Sequence, residues 1–395
     1  GKKCKIGPFD IELVELTHSV PEMNAVFIRT KHGNIMHTGD WKLDPNPTVG
    51  PASDLEKLKN FGDEGVLAMV CDSTNVFSKG HSGSEGDLQK SLTKIIGDCK
   101  KMVMVTTFAS NVGRLDTIAR AAQKAGRRVV VAGRSLWRII RAAQETGYLT
   151  DLPEFLEDSE AGNFPREKLL VLSTGCQGEP MAATSKIANG AHRNIRLTPG
   201  DTVIFSSKII PGNDKRIFRL FNQLVQLGVD VITERDHFVH VSRHPNRDEL
   251  QHVYELVRPQ VSVPVHGEHV HMHEHARLAT EEWNIPSAIQ VENGTLVRFG
   301  PGEPEKIAQV ESDILAIDGN CLIPADGHVI RTRRKMLFNG MVHITVMMNK
   351  DKVKNMPIVF TPGVFDPEGD DEIINEISID VKNAVEQSLT NKKLK

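Results

Sequence analysis

The stretch His240-Val-Ser-Arg-His-Pro-Asn-Arg-Asp-Glu-Leu-Gln-His-Val-Tyr-Glu-Leu-Val-Arg-Pro-Gln-Val-Ser-Val-Pro-Val-His-Gly-Glu268 sets the fold class. Asn246 followed by Glu249 resembles a capping box, and Leu250, Val253 and Val257 repeat at the spacing of a buried helical face. Val261 to Val265 then reads as a strand. One helix and one strand therefore lie between His244 and His266, so both histidines can return to the same sheet edge.

The same alternation extends along the chain. Met102 to Thr106, Arg128 to Val131, Leu169 to Leu172, Thr202 to Phe205 and Val229 to Thr233 read as strands with helices between several of them, which predicts α/β layers. Ile217, Leu220, Phe221 and Leu224 form the apolar face of one such helix, with Asp214 expected as its cap. Beyond about residue 310 the texture changes to Asp/Gly/Pro punctuation, the alternating run Met341 to Met347 and an acidic helix from Asp370. A linker near Ile314 to Pro324 and a small α+β module are expected there. The first residue is Gly1, and the strand-like Ile11-Glu-Leu-Val-Glu-Leu16 follows almost at once, which reads as a sequence cut within a domain. The closing Lys-Lys-Leu-Lys reads as a frayed helix or a second cut.

With 395 residues, 39% apolar and 25% charged, the chain can bury more than one core, and two or three domains are expected. No stretch approaches the ~18 apolar residues of a membrane span, and no signal-peptide core is present, so a cytoplasmic protein is expected. Five singly placed cysteines lack zinc-ribbon spacing and read as reduced thiols. A net charge of −3 means that any nucleic-acid site must be a local basic groove.

Sixteen histidines concentrate attention on strand ends. Thr17-His18-Ser-Val-Pro-Glu22 and His37-Thr-Gly-Asp40-Trp-Lys-Leu-Asp44 each close an apolar stretch, and an imidazole beside a carboxylate suits a divalent transition metal. Each such histidine alone is more often a packed residue than a ligand; together with His244 and His266 they form a candidate site.

These motifs, with Asp72-Ser-Thr-Asn75, Phe108-Ala-Ser-Asn111, Ser173-Thr-Gly-Cys-Gln-Gly-Glu-Pro180, Phe205-Ser-Ser-Lys-Ile-Ile-Pro-Gly-Asn213 and Asp318-Gly-Asn-Cys-Leu-Ile-Pro-Ala-Asp326, occur in one order over nearly the whole chain. In that order they resemble the ribonuclease J family, β-CASP members of the metallo-β-lactamase superfamily. The resemblance implies a two-zinc nuclease in which His18 binds one zinc, Asp40 bridges both and His266 belongs to the second. Asp72 and His244 would then lie beside the scissile phosphate, and Asp40, Asp72 and His244 would be the catalytic groups. It also implies that the loops of Gly175, Gln177 and Gly178 and of Ser206 and Ser207, together with His240 and His244, meet RNA phosphates, including a 5′-monophosphate. Gly, Ser and Asn in such loops otherwise mean turn chemistry.

The superfamily's His-x-His-x-Asp-His signature belongs upstream of His18 and is not present, so this polypeptide alone is expected to bind zinc weakly and to have little nuclease activity. His269-Val-His-Met-His-Glu-His275 imitates that spacing but reads as a helix whose histidines form a solvated face at the active-site rim, where His271 and His275 share a side. Arg243 stands where the family commonly has Gly, and Cys176 where it often has Ser.

The expected architecture is an incomplete metallo-β-lactamase αββα sandwich, residues 1–84 and 249–312, interrupted by a β-CASP α/β domain at 85–248. A linker at 313–330 and a partial C-terminal module at 331–395 follow. The resemblance implies 5′-to-3′ exonuclease action on single-stranded RNA with added endonuclease activity, and a homodimer or homotetramer when intact. The rivals are a catalytically inactive RNA-binding or assembly subunit and a small-molecule hydrolase. The second would not need an insertion carrying phosphate loops. Aromatic residues at 5% favour recognition through the RNA backbone over base stacking.

Overall fold

Strands β1 (Lys3–Ile6), β2 (Phe9–Glu15), β3 (Asn24–Thr30) and β4 (Gly33–His37) pair antiparallel in succession. Strand β5 (Ala68–Asp72) then adds parallel to β4, and two later strands, Val261–Val265 and Ser287–Ala288, complete a seven-stranded sheet in parallel. Three helices cover one face, α1 (Leu55–Glu64), α7 (Arg247–Val257) and α8 (His269–Glu281), through Leu58, Phe61, Leu250, Val253, Val257 and Leu278. On the other face, Ala68, Val261 and Val263 meet Val297 and Phe299, which lie in and just beyond the first strand of a hairpin (Thr295–Arg298 paired with Glu305–Gln309). That two-stranded hairpin is what stands opposite the large sheet, in keeping with the incomplete sandwich expected. The structure is a computed structural model and describes residues 3–350, 352–366 and 369–393.

The period of two along β2 puts Glu12 on the same buried face as Val14. A carboxylate there needs partners, and Lys3, Arg29 and Lys57 approach it at 3.3, 2.9 and 3.0 Å. Burial raises its pKa, but the three cations overcome this and hold it at about 2, below the ordinary 4.5. A folded-state pKa below the unfolded one stabilises the fold fully above about 4.5, and the contribution is lost as pH falls from there toward 2. Thermal melts are therefore expected to show Glu12→Gln less stable than the parent at neutral pH, with the gap closing across that acid window. A gap that stays constant with pH would contradict the assignment.

The second sheet is wholly parallel and has six strands: β6 (Val103–Thr106), β7 (Arg128–Ala132), β8 (Phe155–Glu157), β9 (Leu169–Ser173), β10 (Thr202–Phe205) and β11 (Asp230–Ile232), in the order β11-β10-β6-β9-β7-β8. Five of the six fall where the sequence places them; the three-residue edge strand β8 is too short to show a pattern. Being buried on both faces, they read as continuous Val/Ile/Leu runs. One face carries α2 (Glu85–Asp98), α3 (Val112–Lys124) and α4 (Arg134–Glu145), packed by Leu92, Leu115, Ile118, Leu136 and Ile140. The other carries α5 (Ala183–Ala188) and α6 (Asp214–Gln226), packed by Ile187, Leu220 and Leu224. Asp214 is the first residue of α6 and not its cap: Asn213 holds that position, and the Asp214 carboxylate instead accepts from Gly212 N–H at 3.2 Å.

The capping box of α7 forms, and its glutamate does more than cap. Glu249 is fully buried and accepts from the N–H groups of Asn246 (2.9 Å), Ser82 (2.7 Å) and Leu43 (3.0 Å) and from the Ser82 hydroxyl (2.8 Å). One carboxylate thereby ties together three segments distant in sequence.

Residues Gly1 to Gln309 form one compact unit and Val310 to Lys395 another. In the second unit the expected linker is instead a hairpin, Leu315–Asp318 with Cys321–Pro324, because Asp318-Gly-Asn acts as a hairpin turn with Gly319 at φ 60°. A helix, His328–Asn339, follows. Of the expected strand over 341–347 only His343–Thr345 forms, paired with Ile358–Phe360; a separate two-residue strand, Met348–Asn349, follows it and pairs with Lys352–Val353. The acidic helix spans Asp371–Lys393. The last two residues of Lys-Lys-Leu-Lys lie outside the described residues. Among the described residues no helix is long and apolar enough to cross a membrane.

Candidate metal centre and cleft

Parallel pairing brings the carboxyl ends of β4, β5 and the strand Val261–Val265, here β12, to one edge of the first sheet. Asp40 follows β4, Asp72 ends β5, and His266 follows β12. His244 enters from the loop that leads into α7.

Asp72 organises the group from below. Its Oδ1 accepts from the Thr74 N–H (2.8 Å) and hydroxyl (2.7 Å), and its Oδ2 from His244 Nδ1 at 2.6 Å. His266 Nδ1 lies 3.4 Å from Oδ1. Burial raises the Asp72 pKa, but the bonds from His244 and His266 outweigh it and hold the carboxyl well below the usual range. The Thr74 hydroxyl has one proton; given to Asp72, it leaves the oxygen to accept from His266 Nδ1 at 2.7 Å. His18 Nδ1 likewise donates to the Arg243 carbonyl at 2.7 Å, and burial lowers its pKa to about 4, so it is neutral at pH 7. All three imidazoles are engaged at Nδ1, which leaves Nε2 as the nitrogen a ligand would meet; His266 Nε2 lies 3.6 Å from Asp40 Oδ2, and the Asp72 carboxylate raises the His266 pKa above its ordinary value.

Donor atoms of Asp40, Asp72, His244 and His266 all lie within 4.8 Å of one another. Of the expected ligands, Asp40 and His266 belong to this group, while His18 stands one ring away, its centroid 5.3 Å from that of His244. Asp72 and His244, expected beside the phosphate, are drawn into the group because the Asp72 carboxylate reaches both imidazoles. His266 has φ 56°, a left-handed backbone that costs a non-glycine residue about 1 kcal/mol.

The group opens onto a cleft of about 690 Å³ whose walls include Phe77, Phe108, Lys208, His240, Arg243 and His271. The Arg243 guanidinium lies 4.6 Å from the Phe108 ring centroid, a cation–π contact. Its backbone is not among the positive-φ residues, so the glycine common at this position in the family is not required here. His240 is kept neutral, its pKa well below the ordinary value through burial and the neighbouring Arg114.

Several expected phosphate contacts are engaged elsewhere. Ser206 Oγ donates to the Val239 carbonyl and accepts from Arg114, both at 2.7 Å. Gln177 N–H goes to Glu179 (3.0 Å), and its side chain bonds the Lys208 carbonyl (2.9 Å) and Ile210 N–H (3.0 Å). Gly178 N–H goes to the Gly175 carbonyl at 3.2 Å, and a Cβ at Gly178 would fall 2.8 Å from the Arg216 backbone, so close packing demands this glycine. Ser207 and the buried Cys176 line a separate cavity of about 270 Å³, and burial pushes the Cys176 thiol up to about 11. On α8, His271 does reach the cleft rim, but His275 is completely buried, with Nδ1 bonded to Ser73 Oγ at 2.9 Å, and is no part of a solvated face.

Arg114 was not legible in the sequence. It has no exposed surface and donates to Glu85 (2.7 and 3.0 Å), the Ser206 carbonyl (2.9 Å) and the Val241 carbonyl (3.2 Å), which fixes the His240 loop against β10. A single arginine near the start of an amphipathic helix reads as a surface residue.

Residues 100–224 match the family model of the ribonuclease J β-CASP domain, and residues 228–289 that of the Zn-dependent metallo-hydrolase RNA specificity domain. Ribonuclease J of Sinorhizobium meliloti is 43% identical over 349 residues, 88% of this chain and 62% of that protein. Ribonuclease J of Thermus thermophilus is 37% identical over 87% of this chain and 60% of that protein. Ribonuclease J 1 of Streptococcus pyogenes is 35% identical over 97% of this chain and 69% of that protein. The chain thus spans between half and about two thirds of the length of the relatives it matches. With relatives aligned along almost its entire length and two family models in succession over 100–289, the chain belongs to the ribonuclease J family.

Proposed function

We propose that the cleft hydrolyses phosphodiester bonds of single-stranded RNA with zinc held at the Asp40, Asp72 and His266 group. The observation that carries this reading is the convergence of two carboxylates and two imidazoles at one sheet edge, the imidazoles engaged at Nδ1 by Asp72 and Thr74. That mixed N/O donor set suits zinc. Asp40, Asp72 and His266 would hold one ion, with His18 close by. A second ion needs donors beyond these. When bound, the metal supplies Lewis acidity and lowers the pKa of water.

The protein's own groups do the rest. His244, anchored through Nδ1 on Asp72, presents Nε2 to move a proton at the scissile phosphate. Asp72 stabilises the imidazolium that forms. Arg243 and Lys208 on the cleft wall offset phosphate charge, and Phe77 and Phe108 offer faces to bases.

The reading extends to 5′-to-3′ degradation of 5′-monophosphorylated RNA with some endonucleolytic cutting, to a two-zinc centre and to a homodimer or homotetramer in the whole enzyme. A cytoplasmic location belongs to the same proposal, and the free cysteine thiols are compatible with a reducing compartment. The test pairs zinc titration with cleavage of a 5′-monophosphorylated oligonucleotide, for this chain and for one extended through a His-x-His-x-Asp-His segment. The expected result is about one weakly held zinc in this chain and two zincs with release of 5′-nucleotides in the longer one. If both bind RNA while neither takes up zinc or cuts, the RNA-binding subunit is the better account.

A further inference from the structure

The second sheet has another opening on its carboxyl edge, away from the metal group. Strand β7 leads into α4, which packs on one face of the sheet, and its neighbour β9 leads toward α5, which packs on the other. Adjacent parallel strands whose helices leave to opposite faces open a crevice at their carboxyl ends, the usual ligand position of such sheets. Here the crevice is a cavity of about 770 Å³ lined by Arg134, Arg138, Lys186, Met181 and His192, among others. Among the described residues, none of the cations Arg134, Arg138 and Lys186 is in an ion pair. The two acidic neighbours have other partners: Asp158 receives Asn194 at 2.7 Å and faces His192 at 3.5 Å, and Glu179 receives Gln177 N–H. The N-terminus of α4, a helix of 12 residues, opens into the same cavity behind Gly133, which provides no side-chain cap. Met181, 78% exposed, adds an apolar surface at the rim.

We propose that this crevice is a second phosphate site that takes a nucleotide unit, with its phosphate on Arg134, Arg138 and Lys186 and its base against Met181. That the unit belongs to RNA rests on the function proposed above. The loop lining the crevice is joined to the cleft: Gln177 bonds the Lys208 carbonyl and Ile210 N–H, so an occupant beside Gly175 and Glu179 bears on the segment carrying Lys208.

The test measures binding of 3′-labelled 4-mer and 12-mer oligouridylates and of UMP to the full chain, with EDTA present so that no cleavage intervenes. The parent is compared with Arg134→Ala/Arg138→Ala and, separately, with Lys186→Glu. Both arginines are exposed, so the melting midpoint of the double variant is expected to match the parent's, and Lys186→Glu serves if it does not. If the strand reaches the crevice, the 12-mer weakens roughly tenfold, its salt slope becomes shallower by about 0.7 for every phosphate no longer neutralised, and the 4-mer is unchanged. If a free nucleotide is the occupant, UMP binding is lost while the 12-mer holds. Unchanged affinities and slopes for all three probes in both variants would overturn the proposal. Because the assay needs neither zinc nor catalysis, its result is independent of whether the metal centre cuts RNA.

Discussion

On the function proposed above, Asp72→Asn is expected to lower RNA hydrolysis roughly 10³-fold and to weaken zinc binding roughly 100-fold. The carboxylate has two acceptor oxygens, one taken by Thr74 and the other by His244 Nδ1–H. An amide keeps one acceptor and offers N–H in place of the other, so a donor would face the His244 N–H. The imidazole escapes that clash by moving its proton to Nε2, which removes the lone pair aimed at the cleft. The same substitution takes the negative charge away from the ion. Calorimetric zinc titration and single-turnover cleavage measure the two effects separately. A variant that keeps the parent's zinc affinity and rate would show that Asp72 is only a packing residue.

Arg114→Ala is expected to destabilise the fold by about 3–5 kcal/mol, because it strands the buried Glu85 carboxylate and frees two carbonyls with no replacement donors. The thermal midpoint should drop by roughly 10 °C. Arg114→Met combined with Glu85→Leu removes both charges, and the pair is expected to recover much of the loss, since a matched apolar replacement carries no buried unpaired ion. If the double variant is no more stable than Arg114→Ala, the loss lies in the carbonyl bonds and not in the stranded charge.

Much of the architecture can be read from periodicity, because fully buried parallel strands leave unbroken apolar runs such as Val103–Thr106 and Leu169–Ser173. The capping box at Asn246 and Glu249 is legible for the same local reason. What local pattern hides is long-range use. Glu249 also serves Ser82 and Leu43, Arg114 reaches the 239–241 loop, and Gln177 braces Lys208. The same gap explains the loops of Gly178 and Ser206, whose turn-like composition suggests open phosphate contacts while their polar atoms face inward. In the metal group, ordered motifs identify the residues, but only the sheet register shows that Asp72 and His244 stand with Asp40 and His266 and that His18 stands beside them.

The bond between Asp72 and His244 joins residues 172 positions apart, with the entire second sheet between them in the chain. At ribosomal speeds of roughly 5–20 residues per second, about 10 to 30 s separate the emergence of the carboxylate from that of its imidazole. During that interval a nascent polypeptide carries Asp40 and Asp72 without the histidines that complete the group. Assembly of the group is therefore timed to the end of synthesis of the fold: until the second sheet has folded, the carboxylates wait without the imidazoles that complete it.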